Sequence, residues 1–366
     1  AHRDDARGFA GKFWREMLER IVKAHPEHEF YFFFDRAYDP SFLFAPNVHP
    51  VVAHPQARHA VLFYTWFELM LPTLFRKYRI DLFLSTDGLC SLRSKVPTCL
   101  VIHDLAFEHY PEHLKLSHRK YLQHFSPKFA RKATRIVTVS EYSKKDIAER
   151  YRIYPEKIDV TPNGAHTAYH PLTSDERTAV KAQYTEGKEY FIFAGALHPR
   201  KNVVALLQAF IKFKKHHRSP IKLVIVGRMA WKFEELAELR DTMPFKNDVV
   251  WAGYMNVEEL SQVMGAAYAL VYPSLFEGFG IPILEALKCN VPAIVSNTSS
   301  MPEVAGDAAL LVDPNDVADI AAKMGMLYKD EDLRNKLIAA AKLQAAKFDW
   351  DKSAEILWES MMGCVL

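Results

Sequence analysis

Cysteine is scarce in this 366-residue chain: Cys90, Cys99, Cys289 and Cys364 are the only four, and none forms a Cys-x-x-Cys pair. Such spacing in apolar settings fits reduced thiols and predicts neither a disulfide nor a zinc site. Long hydrophobic runs are lacking as well. Stretches such as Phe30 to Phe34 fall far short of the roughly 18 residues that cross a bilayer, so the expected place is cytoplasmic, soluble or peripheral on the inner face of a membrane. Charge of one sign is not in excess: 47 basic against 44 acidic residues leave +3, which does not predict nucleic-acid binding but leaves small anionic ligands open. Gly-x-Gly-x-x-Gly and Walker loops are absent, which weighs against dinucleotide dehydrogenases and P-loop NTPases, and there is no Gly-x-Ser-x-Gly elbow.

Short apolar runs alternating with longer helical patterns are abundant. "EFYFFF" (29–34), "DLFLS" (81–85), "PTCLVIH" (97–103) and "RIVTVS" (135–140) form a first series. "EYFIFAG" (189–195), "IKLVIVG" (221–227), "DVVWAG" (248–253), "AYALVYP" (267–273), "VPAIVS" (291–296) and "AALLV" (308–312) form a second. Nearly continuous apolar strands between helices indicate parallel sheets covered on both faces. The polar segment 163–177 separates the series, so two doubly wound domains facing a cleft are expected in place of one closed barrel. The expected bounds are 1–170 for the first domain, 171–346 for the second, and 347–366 for an amphipathic helix returning to the first.

In such sheets, chemistry sits in loops at the carboxyl ends of strands. After "EYFIFAG", Asn202 is placed to cap a helix whose last turns carry Lys214, Lys215 and Arg218. Arg200 and Lys201 oppose the dipole at its start, which an anion such as a diphosphate between them and the backbone N–H groups would explain. A solvated basic loop is the alternative. In "LFEGFGIPILEAL" (275–287), Glu277 lies in a loop, Pro282 in the first helical turn and Glu285 about one turn in. Gly278 and Gly280 let backbone amides approach a ligand closely. Carboxylates flanking N–H donors suit a hydroxyl-rich molecule with an anionic part, and an acidic helix start is the plainer alternative. "LVIHDLAFEHYPE" places His103 and Asp104 directly after a third apolar strand.

The Asp-x-Asp pairs Asp330/Asp332 and Asp349/Asp351 precede helical patterns and read as capping acids, so no metal site is expected. Segment 113–135 clusters Lys115, Arg119, Lys120, Lys128, Arg131, Lys132 and Arg135 among aromatics. A solvated helix pair or attachment to anionic lipid would account for it.

Residues 276–316, "FEGFGIPILEALKCNVPAIVSNTSSMPEVAGDAALLVDPND", closely resemble the donor-site signature of retaining glycosyltransferases of family 4, which have the two-domain GT-B fold. Glu277 and Glu285 match the family's Glu-x7-Glu motif. "GALHPRKN" (195–202) resembles its phosphate loop, "VIHD" (101–104) its His-Asp element, and "VSEYSKKDI" (139–147), "TPNG" (161–164) and "FDW" (348–350) its other markers. The similarity covers nearly the whole chain, in the family's order. It implies that Gly195, Arg200 and Lys201 hold the donor diphosphate, that Glu285 binds the ribose and Glu277 the sugar, and that the amides around Gly278, Phe279, Gly280 and Ile281 support both. His103, with Asp104 beside it, would touch the sugar near the reacting carbon, and Tyr254 would lie by the base. The family's opening strand and glycine loop are not matched; "RGFAGKF" (7–13) is the remaining candidate for that loop, and further residues are expected upstream of Ala1.

The resemblance thus implies metal-independent transfer of a hexose, with retention, from a nucleoside-diphosphate sugar that serves as co-substrate without any other cofactor. General likeness to bacterial mannosyltransferase-like members suggests mannose from GDP-mannose, passed to a glycan or lipid-linked glycan. A non-catalytic nucleotide-sugar-binding protein, or a GT-B epimerase or phosphorylase, is the alternative.

Overall fold

The apolar runs become short parallel strands in a computed structural model that describes residues 9–57, 60–228 and 234–365. The chain divides into two units, Ala1–Asn163 with Asp349–Leu366, and Gly164–Phe348. Among the described residues, the first unit contains β1 (Phe30–Phe34), β2 (Val48–Val52), β3 (Phe83–Ser85), β4 (Thr98–Val101), β5 (Arg135–Thr138) and β6 (Ile158–Val160). β1 pairs with β2, and the other four form a separate sheet in the order β3-β4-β5-β6, all parallel. Phe75 ties the two sheets together, with ring centroids 5.8 Å from Phe33 on β1 and 4.9 Å from Phe83 on β3.

The sequence patterns missed β2 and β6. "VHPVV" carries His49 and Pro50, and a proline is compatible with an edge strand because it removes a ladder donor. "IDV" is three residues with a charge at its centre. The "RGFAGKF" candidate is also corrected: from Phe9 onward it is the start of helix Phe9–Ala24, while Arg7 and Gly8 lie outside the described residues.

Helix Trp350–Met362 packs within the first unit. Ser353 Oγ donates to the Pro162 carbonyl at 2.5 Å, Ser360 Oγ to Asp159 at 2.8 Å, and Trp358 stacks on His25 at 3.7 Å. Asp349 accepts from the N–H groups of Asp351 and Lys352 at its start, and Asp330 caps helix Glu331–Ala345 through Leu333 N–H. The first acid of each Asp-x-Asp pair is therefore a capping residue.

The second unit is one six-stranded parallel sheet. Its strands are β7 (Tyr190–Ala194), β8 (Lys222–Val226), β9 (Val249–Gly253), β10 (Ala269–Tyr272), β11 (Ala293–Ser296) and β12 (Ala309–Val312). Every residue of β7, β8, β10 and β11 is buried, which is why these segments read as continuous apolar runs rather than alternating ones. Their order is β9-β8-β7-β10-β11-β12. The chain winds outward in one direction from β7 and, beginning at β10, in the other.

Candidate active site

Where the winding direction reverses, the loops after neighbouring strands diverge and leave a crevice at the sheet's carboxyl edge. That reversal falls between β7, which leads to Arg200 and Lys201, and β10, which leads to Glu277. A 3-10 turn, Pro199–Lys201, carries the two cations, with His198 Nδ1 accepting from Arg200 N–H at 3.2 Å.

Asn202 does not cap the following helix with its side chain, contrary to expectation. It takes the left-handed conformation at φ 58°, and its amide donates to the carbonyls of Pro273 at 3.1 Å and Pro314 at 2.7 Å. It thereby ties the loop after β7 to those after β10 and β12. Leu275 N–H donates to the Arg200 carbonyl at 2.8 Å, and Ser274 Oγ lies 3.0 Å from the same oxygen.

Glu277 is only 6% exposed. Its Oε1 accepts from Lys201 Nζ at 2.6 Å, Ser274 Oγ at 2.5 Å and Tyr272 Oη at 3.1 Å, and its Oε2 lies 3.3 Å from Arg200 Nη1. Burial pushes the carboxyl's pKa up, but Lys201 and Arg200 pull harder in the other direction and leave it at about 2. The peptide is clasped too: Glu277 N–H donates to Ser299 Oγ, and Ser300 Oγ donates to the Glu277 carbonyl. Arg200 and Lys201 are therefore partly offset by a carboxylate of their own chain, where the sequence suggested an external anion or a solvated basic loop.

Gly280 begins helix Ile281–Lys288 at φ 91°, and a Cβ there would come 3.0 Å from Ile283 Cδ1. The Phe279 ring is buried edge-to-face against Phe348, 5.4 Å between centroids, so the side chain belongs to the core. Gly278 is buried beside it, while Ile281 is half-buried. Pro282 stands in the first turn and Glu285, half-buried, about one turn in. Glu285 neighbours Tyr169, whose phenol pKa is raised first by burial and then by that carboxylate.

Gly195 N–H donates to the Val226 carbonyl at 2.9 Å, and Gly227 N–H to that of Gly253 at 2.7 Å. A Cβ on Gly227 would sit 1.8 Å from the Gly195 oxygen, so the loops after β7 and β8 touch backbone to backbone. Arg228, next in sequence, is exposed and stacks over the exposed Tyr254 ring at 4.1 Å. Sequence reasoning missed Arg228; its signal is a cation just past β8, as Arg200 lies past β7.

In the first unit, His103 follows β4 and is half-buried, with its pKa lowered by burial against the opposing pull of Asp104 and Asp87. Asp104 Oδ1 accepts from Ala106 N–H at 2.8 Å and so shapes the loop. Glu68 also went unnoticed; it is buried and accepts from Leu92 N–H, Arg93 N–H and Ser91 Oγ, anchoring the segment after β3.

The chain is similar to known proteins over both units. A profile described as Glycosyl transferases group 1 matches residues 175–344, and one described as Glycosyltransferase Family 4 matches residues 10–169. O-antigen chain mannosyltransferase B of Escherichia coli is 32% identical over 250 residues, 68% of this chain and 66% of that protein. O-antigen chain mannosyltransferase RfbU of Salmonella typhimurium is 32% identical over 221 residues, 59% of this chain and 57% of that one. The chain thus spans less than two thirds of the length of the curated relatives it matches. Among solved structures, Anabaena HepE in complex with UDP and glucose superposes with a TM-score of 0.76 at 17% identity, covering 97% of this chain and 96% of that one. WaaG, a glycosyltransferase involved in lipopolysaccharide biosynthesis, gives 0.70 at 16% identity, with 94% of each chain covered. The two parallel α/β units are those of GT-B proteins, and the chain belongs to the glycosyltransferases of family 4.

Proposed function

We propose that this protein transfers mannose, with retention, from GDP-mannose to a hydroxyl of a growing surface glycan or its lipid-linked precursor. The observation that carries the reading is the Arg200–Lys201–Glu277 cluster at the β7/β10 reversal. Two cations beside a helix start can stabilise the charge that develops on a departing diphosphate, and one such donor is typically worth about 10²–10³ in rate. That role needs no metal ion. Glu277, ionised and with Oε1 already holding three donors, acts as an acceptor for a sugar hydroxyl at Oε2 rather than as a nucleophile. Front-face attack through an oxocarbenium-like state follows from that assignment.

Glu285 takes the ribose hydroxyls, and the amides of Gly278 to Ile281 support sugar and phosphate. The Arg228–Tyr254 stack flanks the base, where an arginine fork fits the O6 and N7 acceptors of guanine. His103, in a loop shaped by Asp104, keeps the role that the family resemblance implies for it. The mannose assignment draws on the mannosyltransferase relatives.

A peripheral attachment to anionic lipid belongs to the same reading. Helix Leu116–Lys132 carries Arg119, Lys120, Lys128, Arg131 and Lys132 and no acidic residue. Leu116 is 56% exposed at its start, and Val61 is 74% exposed on the neighbouring helix, whose Phe63 lies 6.2 Å from His118. Among the described residues, no helix is long and apolar enough to cross a membrane.

The deciding experiment is thermal stability with GDP, UDP and ADP and their common sugar conjugates, with and without EDTA, followed by donor turnover. A ligand at 100 times its dissociation constant adds about 2.7 kcal/mol. Selective stabilisation by GDP-mannose, indifferent to EDTA and followed by transfer with retention, is expected. Binding without turnover would instead identify a nucleotide-sugar-binding protein, and isomerisation of the donor without acceptor an epimerase.

A further inference from the structure

Tyr272 ends β10 with its ring fully buried and stacked on Phe193 of β7, 5.7 Å between centroids. A phenylalanine would fill the same volume without placing a hydroxyl in the core, where an unpaired polar group is penalised. This hydroxyl has two partners, both in the site: it accepts from Lys201 Nζ at 2.5 Å and donates to Glu277 Oε1 at 3.1 Å. The Lys201 ammonium also lies 5.1 Å from the centre of the tyrosine ring.

We propose that Tyr272 is a positioning residue that holds the Lys201 ammonium and the Glu277 carboxylate at a fixed spacing, directing the first to the departing phosphate and the second to the sugar. The role rests on the assignment of Arg200 and Lys201 to the donor diphosphate. A neutral hydroxyl is suited to it. It takes one donor of Lys201 without cancelling the charge, and it donates to Oε1, leaving Oε2 toward Arg200. Burial, and then the adjacent carboxylate, raise the phenol's pKa well above its usual value, so it remains a donor throughout the working pH range. Without the hydroxyl, the Lys201 ammonium, already in contact with Glu277 at 2.6 Å, loses its second anchor and can swing about that oxygen, so it is less well aimed when charge develops on the leaving group. The loss therefore falls on the transition state more than on the bound donor.

The test compares the whole protein with Tyr272→Phe and Lys201→Ala, using GDP for binding and GDP-mannose for turnover, with rates expressed per folded molecule. Tyr272→Phe is expected to retain the stabilisation by GDP and to lower kcat about tenfold with KM nearly unchanged. Wild-type kcat in Tyr272→Phe overturns the positioning role, as does a loss confined to melting temperature with full activity in the folded fraction. Should Lys201→Ala keep both GDP stabilisation and turnover, the diphosphate assignment itself fails, whatever Tyr272→Phe shows.

Discussion

Lys201 Nζ lies 2.6 Å from Glu277 Oε1, and the two residues are 76 positions apart in the chain. Their contact joins the strand-end loops of β7 and β10, and it makes each residue's chemistry depend on the other.

Lys201→Ala is expected to lower turnover by about 10²–10³, the usual value of one well-placed charge donor. It also removes a partner from a buried carboxylate. With Arg200 still in place, the destabilisation should be about 1–3 kcal/mol, measured by urea unfolding beside the kinetics. Unchanged turnover in both Lys201→Ala and Arg200→Ala would falsify the phosphate assignment.

Stability should depend on Glu277 at low pH. Its folded pKa, about 2, lies below the ordinary 4.5, so the ionised form is the one the fold favours. The contribution is complete above about pH 4.5 and is lost as the pH falls toward 2, amounting to about 3 kcal/mol. Unfolding free energies measured across that window should fall steeply for the natural protein and more gently for Glu277→Gln.

Arg228→Ala and Tyr254→Ala should leave the unliganded melting temperature nearly unchanged, because both side chains are exposed. Stabilisation by GDP should weaken in each. For Arg228→Ala the preference for GDP over UDP should shrink by about 10- to 100-fold, as expected for losing one bidentate contact to guanine. A preference that survives intact places the base elsewhere.

Two glycines, one just past β8 and one ending β9, provide a contrast. Gly227→Ala puts a methyl 1.8 Å from the Gly195 oxygen at φ +156°, whereas Gly253→Ala meets nothing within 4 Å at φ +70°. The second should destabilise by about 1–2 kcal/mol, the usual strain of a left-handed residue. The first must displace backbone, so it should destabilise far more and abolish GDP binding; equal melting temperatures would show that the loops are looser than drawn.

Reversing charge in the basic helix, with Lys120→Glu and Lys128→Glu together, should abolish flotation with vesicles rich in anionic lipid while leaving GDP stabilisation intact. Raising the salt concentration should imitate the substitution. Flotation with neutral vesicles alone would contradict the electrostatic reading.

Much of the fold was legible because its central strands are buried on both faces. Segments such as "EYFIFAG" and "IKLVIVG" therefore carry apolar residues without a break, and their rhythm with the helices announces parallel α/β units. β2 and β6 were not legible: a proline, a histidine and an aspartate interrupt them, and short edge strands tolerate such residues. Within the site, Arg200, Lys201, Glu277 and Glu285 stood out by type and by place after a strand. Tyr272 and Arg228 did not. A tyrosine ending a strand reads as core, and Arg228, although it stands just past β8, was passed over among the chain's many cations.

The sequence by itself determined the alternation of strands and helices and the loops that bear charge, since burial and backbone sterics act on neighbours along the chain. Only the tertiary structure decided that Glu277 lies against both Arg200 and Lys201, that Asn202 ties three loops instead of capping a helix, and that the Tyr272 hydroxyl contacts both the ammonium and the carboxylate. Those contacts depend on the order of strands across the sheet. That order is set by packing between segments distant in sequence, which no local pattern records.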